Sequence, residues 1–236
     1  LHAEQCVVAH VEAAHRHGAD VRAREAVSDW ETTANGVSVR TDKGRYTADE
    51  LVVTAGAWAG EVVPELETTA VPERQVLGWF QPTSREDFQP ETFPVCSVAS
   101  PEGHFYATPV YGVPGFKLGK HHHLGETVDP DDVADPRPAD ERVLRSFAER
   151  YFPGAAGPTM GLETCLYTNS PDGEFVVDVL PDDPRVAVGA GFSGHGFKFS
   201  PVVGEILADL AIHGESDHPT DIFGLDRFGG AGSVPG

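Results

Sequence analysis

The chain has 236 residues and a formal net charge of −20 at pH 7, with 37 acidic against 17 basic side chains. This excess of acid argues against binding to nucleic acid or to anionic membranes, because both require a basic surface. No apolar run approaches the length of a membrane span. The length allows a buried core in one large domain or in two closely associated ones.

Three cysteines, Cys6, Cys96 and Cys165, lack the spacing of a disulfide framework or a metal site. A reducing, cytoplasmic location is the simplest interpretation of this pattern. Lysine is scarce, and the chain contains only Lys43, Lys117, Lys120 and Lys198. Where lysine is avoided, a lysine within an apolar or glycine-rich stretch becomes a candidate for function.

The first part of the chain predicts a helix, a meander and a return strand. Apolar residues at helical spacing predict a helix over residues 2–17, and a strand follows over residues 21–24. Short alternating stretches with an Asn35-Gly36 turn predict a meander over residues 26–46. The apolar run over residues 51–58 predicts a strand buried on both faces, then a turn and a helix start.

The middle of the chain predicts antiparallel strands between polar, proline-rich loops, at residues 74–80, 93–98, 104–108 and 115–120. A charged linker at 129–140 and a helix at 141–152 are predicted next. Strands follow at 164–168, 174–179 and 186–190, then a helix at 201–212 and a flexible tail at 229–236. Parallel-type strands near both ends and antiparallel strands between them predict an α+β or α/β fold. In that fold an antiparallel domain is inserted into a nucleotide-binding domain.

A glycine-rich stretch, Gly-Phe-Ser-Gly-His-Gly-Phe-Lys-Phe-Ser at residues 191–200, joins a predicted strand to the last predicted helix. Such a turn can direct backbone N–H groups and a helix N-terminus at an electron-rich ligand. His195 and Lys198 add a titratable and a cationic group. A loop that merely turns the chain explains the glycines equally well, and the residue types alone do not separate the two interpretations.

Four segments, taken in order, resemble one family of enzymes. They are Leu-Val-Val-Thr-Ala-Gly-Ala-Trp at 51–58, Gly-Phe-Lys-Leu-Gly at 115–119, Cys-Leu-Tyr-Thr at 165–168, and Gly-Phe-Ser-Gly-His-Gly-Phe-Lys at 191–198. The family is that of monomeric sarcosine oxidase and N-methyltryptophan oxidase, which are FAD-dependent amine oxidases of the D-amino-acid-oxidase type. The resemblance extends over nearly the whole chain.

The family begins with a strand, a G-x-G-x-x-G turn and a helix that hold the ADP half of FAD. This sequence does not open on such a strand, turn and helix, so the resemblance implies the C-terminal portion of such an enzyme, with the N-terminal FAD-binding portion as its expected partner. Residues 1–60 are then part of a Rossmann-like FAD-binding domain, and residues 61–160 form an antiparallel substrate domain. Residues 161–228 supply the flavin-site strands, the glycine loop and the C-terminal helix.

The resemblance gives Cys165 and Lys117 specific roles. Cys165 matches the cysteine that bonds covalently to the flavin, and the alternative is a small buried side chain. Lys117 matches the lysine that faces the flavin and assists the reduction of O2, where a fixed positive charge stabilises the anion that forms. The alternative is an edge lysine that extends to solvent.

Further site residues follow from the same resemblance. Lys198 matches a residue that helps to bind the substrate carboxylate, and His195 one that lies against the flavin; a loop histidine bonded to backbone is the alternative for His195. The substrate pocket is implied to include Tyr106, His121 and Thr168. The other implied cofactor contacts are Gly56, Trp58, Leu166, Phe192, Gly194, Gly196 and Phe197, together with Lys198 and His195. No metal is expected at residues 121–123, because consecutive residues on a strand point to opposite faces.

The implied function is oxidation of a secondary, N-methyl amino acid such as sarcosine to an imine, with O2 reduced to hydrogen peroxide and FAD held through Cys165. One alternative is a truncated fragment or small-molecule-binding remnant without turnover. Another is a related oxidase of primary or cyclic amino acids.

Overall fold

The computed structural model describes residues 1–229, which form two compact units. The first unit combines Leu1–Ala70 with the chain from Asn169 onward, and the second unit is the continuous stretch Val71–Thr168. The chain passes between the two units at 70/71 and at 168/169, whereas the sequence predicts domain boundaries at 60/61 and 160/161. The functional assignment of the domains stays a prediction. Residues 230–236 of the predicted tail lie outside the described residues.

The described residues contain twelve strands and four α-helices. The strands are β1 (Val27–Thr33), β2 (Gly36–Thr41), β3 (Arg45–Ala48), β4 (Leu51–Val53), β5 (Val71–Phe80), β6 (Cys96–Ser100), β7 (Gly103–Thr108), β8 (Phe116–Lys120), β9 (Glu126–Thr127), β10 (Thr159–Asn169), β11 (Val176–Leu180) and β12 (Asp183–Ala190). The helices are α1 (Ala3–Arg16), α2 (Ala59–Val62), α3 (Pro138–Tyr151) and α4 (Ser200–His213). In residues 1–229 no helix has the length and apolarity that a membrane crossing requires.

The first unit holds two three-stranded sheets. Strands β1, β2 and β3 form the predicted antiparallel meander, and its first turn places Gly36 at a φ of +141°. In the other sheet, β12 lies between β11, to which it is antiparallel, and β4, to which it is parallel. Val186 pairs with Leu51, which confirms that strands from the two ends of the chain are parallel neighbours.

The mixed sheet of the first unit is buried on both faces, because β12 is apolar at consecutive positions. Val186 and Val188 pack into one core, whereas Ala187 packs on the other side against Ile206 and Leu207 of α4. Helix α1 differs from α4, since none of its side chains is buried.

The second unit is built on a sheet with strand order β10-β5-β8-β7-β6, and β9 also pairs with β5. Strand alternation gives this sheet two unlike faces. One face packs against α3, and its core includes Val76, Phe80, Phe105, Phe116, Leu118, Leu144 and Phe147. We call the opposite face the polar face, and it carries Glu73, Gln75, Trp79, Ser97, His104, Tyr106, Lys117, Gly119, Cys165 and Tyr167.

Some predicted elements differ from the structure. Residues 21–24 are not a strand, and no described strand pairs with them; Arg24 instead takes a φ of +55°. The strand predicted at 93–98 begins only at Cys96. Helix α3 begins at Pro138, inside the predicted linker, because proline is favoured in the first turn of a helix, where its missing N–H costs nothing.

Candidate active site

Lys117 lies in the middle of the second unit's sheet, on the polar face. Its neighbours Phe116 and Leu118 are fully buried on the other face, so alternation turns Lys117 away from the core. It pairs with Trp79 of β5, and its ammonium nitrogen lies 5.3 Å from the centroid of the Trp79 ring. Because β8 is flanked by β5 and β7, Lys117 is not an edge lysine.

Cys165, on β10, belongs to the same face. Burial raises the pKa of its thiol, and the nearby positive charge of Lys117 acts in the opposite direction. The fold thus brings Cys165 and Lys117 within electrostatic reach of each other. Cys165, Cys6 and Cys96 are all free thiols in the structure.

Tyr106 lies across β8 because position 119 is glycine. Tyr106 and Gly119 are paired residues on adjacent strands, and a Cβ added to Gly119 would collide with the Tyr106 ring. Burial raises the pKa of Tyr106 to about 12, and the nearby Cys165 contributes in the same direction. The Lys-Leu-Gly sequence therefore combines a charge that points into the polar face with a gap that the tyrosine fills.

Tyr167 connects two predicted pocket residues. Its hydroxyl oxygen lies 3.0 Å from Nδ1 of His121, and it also forms a hydrogen bond with the hydroxyl of Tyr106. Burial raises the pKa of Tyr167, so the phenol stays protonated. The His121 ring packs near Tyr106 and His104, at centroid distances of 5.0 and 4.8 Å.

Leu166 and Thr168 of β10, two predicted site residues, lie on the opposite side of the sheet from this group. Leu162 packs into the core beside α3, and Thr164 bonds to the carbonyl oxygen of Ala134 on that side. Alternation places the side chains of Leu166 and Thr168 on the same side as these residues. Any contact of Leu166 or Thr168 with a ligand on the polar face would therefore be through backbone atoms.

Sequence reasoning missed the residues that β5 contributes to the polar face. Gln75 donates from Nε2 to Oε1 of Glu73 over 2.8 Å, and its own Oε1 accepts the backbone N–H of His123 over 3.0 Å. Trp79 is the aromatic partner of Lys117. The sequence shows three consecutive polar residues in β5, Glu73, Arg74 and Gln75, but it does not say what lies across from them.

In the first unit, the glycine-rich stretch forms a tight loop after β12. Gly191, Ser193 and Gly194 take φ angles of +59°, +48° and +78°, which turn the backbone sharply. A Cβ at Gly196 would lie 2.6 Å from atoms of Phe192, so only glycine lets the loop fold onto that ring.

The two functional candidates in this loop contact backbone carbonyl groups and aromatic rings of the first unit. His195 Nε2 lies 3.1 Å from the carbonyl oxygen of Gly173, and its ring packs on Phe175. These are the contacts of a loop histidine bonded to backbone, and a role for His195 against the flavin stays a prediction. Lys198 donates from Nζ to the carbonyl oxygen of His195 over 2.9 Å and lies over Phe199. With Phe197, Lys198 lines a cleft of about 320 Å³ beside α1.

Two further predicted contacts of the first unit follow β4, and a buried hydroxyl lies in the same unit, on a residue next to the glycine loop. Gly56 takes a φ of +56° just after β4, and Trp58, two residues later, is 41% exposed. Thr69 Oγ1 is buried and has no hydrogen-bond partner within residues 1–229. The Thr69 carbonyl oxygen would lie 3.3 Å from a Cβ at Gly191. An unsatisfied hydroxyl next to the glycine loop is a group that a bound ligand would satisfy.

The three consecutive histidines lie in a turn after β8, not on a strand as expected, because His122 adopts a left-handed φ of +52°. His121 bonds to Tyr167, His122 to Glu73, and His123 to the buried Asp140. The side chains therefore diverge. Among the described residues, no group of His, Cys, Asp and Glu has the arrangement of a metal site.

The fold is that of oxidoreductases that act on amino acids and amines. The L-proline dehydrogenase structure from P. horikoshii superposes with a TM-score of 0.80, at 23% identity over 94% of this chain and 59% of that chain. At this identity the likeness defines the fold alone.

The family model described as "FAD dependent oxidoreductase", DAO, matches residues 1–210, and the chain belongs to this family. It is 42% identical to the monomeric sarcosine oxidase of Bacillus sp. (strain NS-129), over 96% of this chain and 60% of that protein. It is 35% identical to the N-methyl-L-tryptophan oxidase of Yersinia pestis (strain Pestoides F), over 97% of this chain and 61% of that protein. The chain thus spans about three fifths of the length of these curated relatives.

Proposed function

We propose that this chain provides the flavin-facing and substrate-facing residues of an oxidase that converts a secondary, N-methyl amino acid such as sarcosine to an imine. In this proposal O2 is the electron acceptor, hydrogen peroxide is the second product, and an N-terminal FAD-binding portion is the partner. The observation that carries the proposal is the location of Lys117 and Cys165 on one face of one sheet, within electrostatic reach.

The residues present fit the flavin end of FAD. In the second unit, a partly buried thiol lies within electrostatic reach of an ammonium group; burial raises the pKa of the Cys165 thiol, and the positive charge of Lys117 acts against this rise. In the first unit, the buried hydroxyl of Thr69 and the glycine loop offer polar atoms and close backbone approach. A bound flavin supplies two-electron oxidation of the C–N bond and electron transfer to O2.

The chain's own residues bind, orient and provide charge. Lys117 places a fixed positive charge where the reduction of O2 develops a negative one, which is electrostatic catalysis. Lys198 is proposed to bind the substrate carboxylate, since an acidic protein needs a local cation to hold an anion. Tyr106 and His121 form the wall that the substrate contacts.

A second candidate is a portion that binds a small molecule without turnover. One observation favours it: burial raises the pKa of the Cys165 thiol, which works against covalent attachment of a flavin. The predicted cytoplasmic location is compatible with either candidate, since the thiols are free.

The test is covalent attachment of FAD. The chain is incubated with FAD, alone and with the N-terminal portion of a related oxidase, and precipitated with acid. Yellow colour that stays with the polypeptide is expected, and it should be lost in Cys165→Ala but retained in the matched controls Cys6→Ala and Cys96→Ala. Acid-stable flavin in Cys165→Ala would refute the attachment site, and a chain that takes up no FAD under either condition would favour the second candidate.

A further inference from the structure

A carboxylate–imidazole pair borders the polar face, and the proposed function gives it no role. Glu73 Oε2 lies 2.9 Å from Nδ1 of His122. The side chain of Glu73 is 10% exposed, whereas that of His122 is 58% exposed. One partner is therefore almost buried in the sheet, and the other reaches solvent.

The backbone is strained at the position that makes this pair. His122 has a left-handed φ of +52°, a conformation that is unfavourable for a residue with a Cβ. It directs His122 toward Glu73 and leaves its neighbours to bond to Tyr167 and Asp140. Because an extended backbone would separate His122 from Glu73, the strained conformation and the pair occur together.

The pair adjoins the group of predicted site residues. The backbone N–H of Gln81, just after β5, bonds to the carbonyl of Pro158, just before β10, and Gly78 lies against Leu162. These contacts make β5 and β10 antiparallel neighbours, so the Glu73 end of β5 lies beside Tyr167. The rings of His122 and Tyr167 meet edge to face, with centroids 6.1 Å apart.

We propose that His122, oriented by Glu73, accepts the proton that the ammonium group of the amino-acid substrate must lose before oxidation. This proposal rests on the proposed function. An amino acid arrives with its nitrogen protonated, and the neighbouring carbon can be oxidised only when the nitrogen lone pair is free. A carboxylate only accepts hydrogen bonds, so His122 donates its Nδ1–H to Glu73 and carries a bare lone pair on Nε2.

The step is a proton transfer from the substrate nitrogen to the imidazole. One N–H bond of the substrate ammonium breaks, one N–H bond forms at Nε2 of His122, and a neutral amine remains. The resulting imidazolium lies next to the Glu73 carboxylate, which stabilises its charge. Because more than half of the His122 side chain is exposed, the proton then passes to water.

The surrounding groups are less suited to this step. His121 has its Nδ1 engaged by Tyr167, and burial raises the pKa values of both Tyr167 and Tyr106. Lys120 extends over Gly103 and the Phe105 ring. The other titratable or charged groups near the pair are His104, Lys117 and Cys165 on the polar face and Arg74, His123, Glu126 and Asp140 on the other side of the sheet.

The kinetic test uses the flavin-loaded oxidase that contains this chain and follows anaerobic flavin reduction by sarcosine. In His122→Asn, which retains a residue that tolerates positive φ, reduction should be about 10²-fold slower at neutral pH. Above the pKa of the substrate amine the rate should return to that of the unsubstituted enzyme, because the amine then arrives neutral. Glu73→Gln should show a smaller loss with the same pH dependence.

The matched control is His218→Gln, which removes a histidine that lies 3.6 Å from another glutamate, Glu205, in the first unit. Its pH profile should be unchanged. A rate of His122→Asn that is lowered equally at every pH would indicate a structural role and overturn the proposal, as would an unchanged rate.

A second measurement does not depend on turnover. The ¹⁵N chemical shifts of the His122 ring in this chain should place the proton on Nδ1 and leave Nε2 bare, and the opposite tautomer would contradict the proposal.

If sarcosine and other N-methyl amino acids fail to reduce the flavin of the unsubstituted enzyme, the proposed function fails. If reduction occurs but His122→Asn behaves as the unsubstituted enzyme, only the role of His122 fails.

Discussion

The ammonium of Lys117 lies 5.3 Å from the centroid of the Trp79 ring and within electrostatic reach of the thiol of Cys165. In Lys117→Met, which removes the charge and keeps an unbranched stem, reoxidation of reduced flavin by O2 should slow by about 10²-fold, the scale of a lost electrostatic contact in catalysis. Stopped-flow mixing of reduced enzyme with O2 measures this. Lys120→Met removes a lysine from the same strand and should leave the rate unchanged; an equally fast Lys117→Met would contradict the assignment.

The same substitution should change the thiol in the flavin-free chain. The charge of Lys117 lowers the pKa of Cys165 against the effect of burial, so its removal raises that pKa further. The pH at which Cys165 becomes half-reactive with an alkylating reagent should shift upward in Lys117→Met. A downward shift would mean that the two groups do not interact as the structure indicates.

Gly119 provides a steric test of the polar face. In Gly119→Ala the new methyl group displaces the Tyr106 ring, and overpacking of this kind costs about 1–3 kcal/mol of unfolding free energy. Gly161→Ala, at an open position on β10, should cost much less. Urea unfolding of both variants measures the difference, and equal costs would show that the ring has room to move.

Some individual site residues could be predicted from the sequence, and others could not. Lys117 and Cys165 could be named because each lies in a distinctive segment, but their common face depends on how β8 and β10 are placed in the sheet. The pairing of Glu73 with His122 could not, because it depends on a left-handed residue in a turn and on a β5–β10 contact between distant stretches. Neither feature has a local signal.

At the scale of elements, a buried ionic network ties β5 and the turn after β8 to α3. Arg74 donates to both oxygens of Asp140, over 3.2 and 2.9 Å, and His123 Nε2 lies 3.1 Å from the same carboxylate. Asp140 also accepts the backbone N–H of Arg137 at the start of α3. The carboxylate therefore joins three elements and caps one of them.

Asp140→Ala should destabilise the protein by about 3–5 kcal/mol, because it leaves the buried guanidinium of Arg74 without its charge partner. Urea unfolding at neutral pH gives the value. Asp172→Ala is the control, since it removes a more exposed carboxylate that also pairs with an arginine, Arg227, and it should cost less. A loss for Asp140→Ala no larger than for Asp172→Ala would indicate that water enters the network.

The network also predicts how acid affects stability. Burial alone would raise the pKa of Asp140, but hydrogen bonds from Arg74 and Arg137 outweigh it and lower the pKa from 3.8 to about 2. A depressed carboxyl pKa contributes stability above the unfolded value, and that stability is lost as the pH falls from about 4 to 2. The pKa of His123 is lowered by burial from 6.5, so His123 disfavours the folded state once the pH falls below that value. Unfolding free energies measured against pH should decline in both ranges. In Asp140→Ala the decline between about pH 4 and 2 should be smaller, and Asp172, whose pKa is also lowered to about 2, should account for part of what remains.

Most elements could be predicted because hydrophobic periodicity is local. The meander, the apolar strands and α4 follow from it, whereas the strand expected at 21–24 fails because no described strand pairs with it. A strand needs a partner, and residue pattern alone does not supply one.

At the scale of the molecule, the first unit is assembled from the two stretches of sequence that precede and follow the continuous second unit. The pairing of β4 with β12 is its central connection. Parallel pairing between stretches so far apart carries a high loop-closure cost, so we expect these strands to form late in folding.

The net charge of −20 acts on the whole fold. Like charges repel more strongly in the compact state than in the expanded one, and added salt screens this repulsion as the Debye length falls from about 30 Å at 0.01 M to about 8 Å at 0.15 M. At neutral pH the thermal midpoint should therefore rise with sodium chloride. Near the sequence pI of about 4.7 the net charge vanishes, and the same salt series should have little effect. If salt instead lowers the midpoint at neutral pH, then specific ion pairs such as Arg74–Asp140 outweigh the general repulsion, and the acidic surface would not limit the stability of this protein.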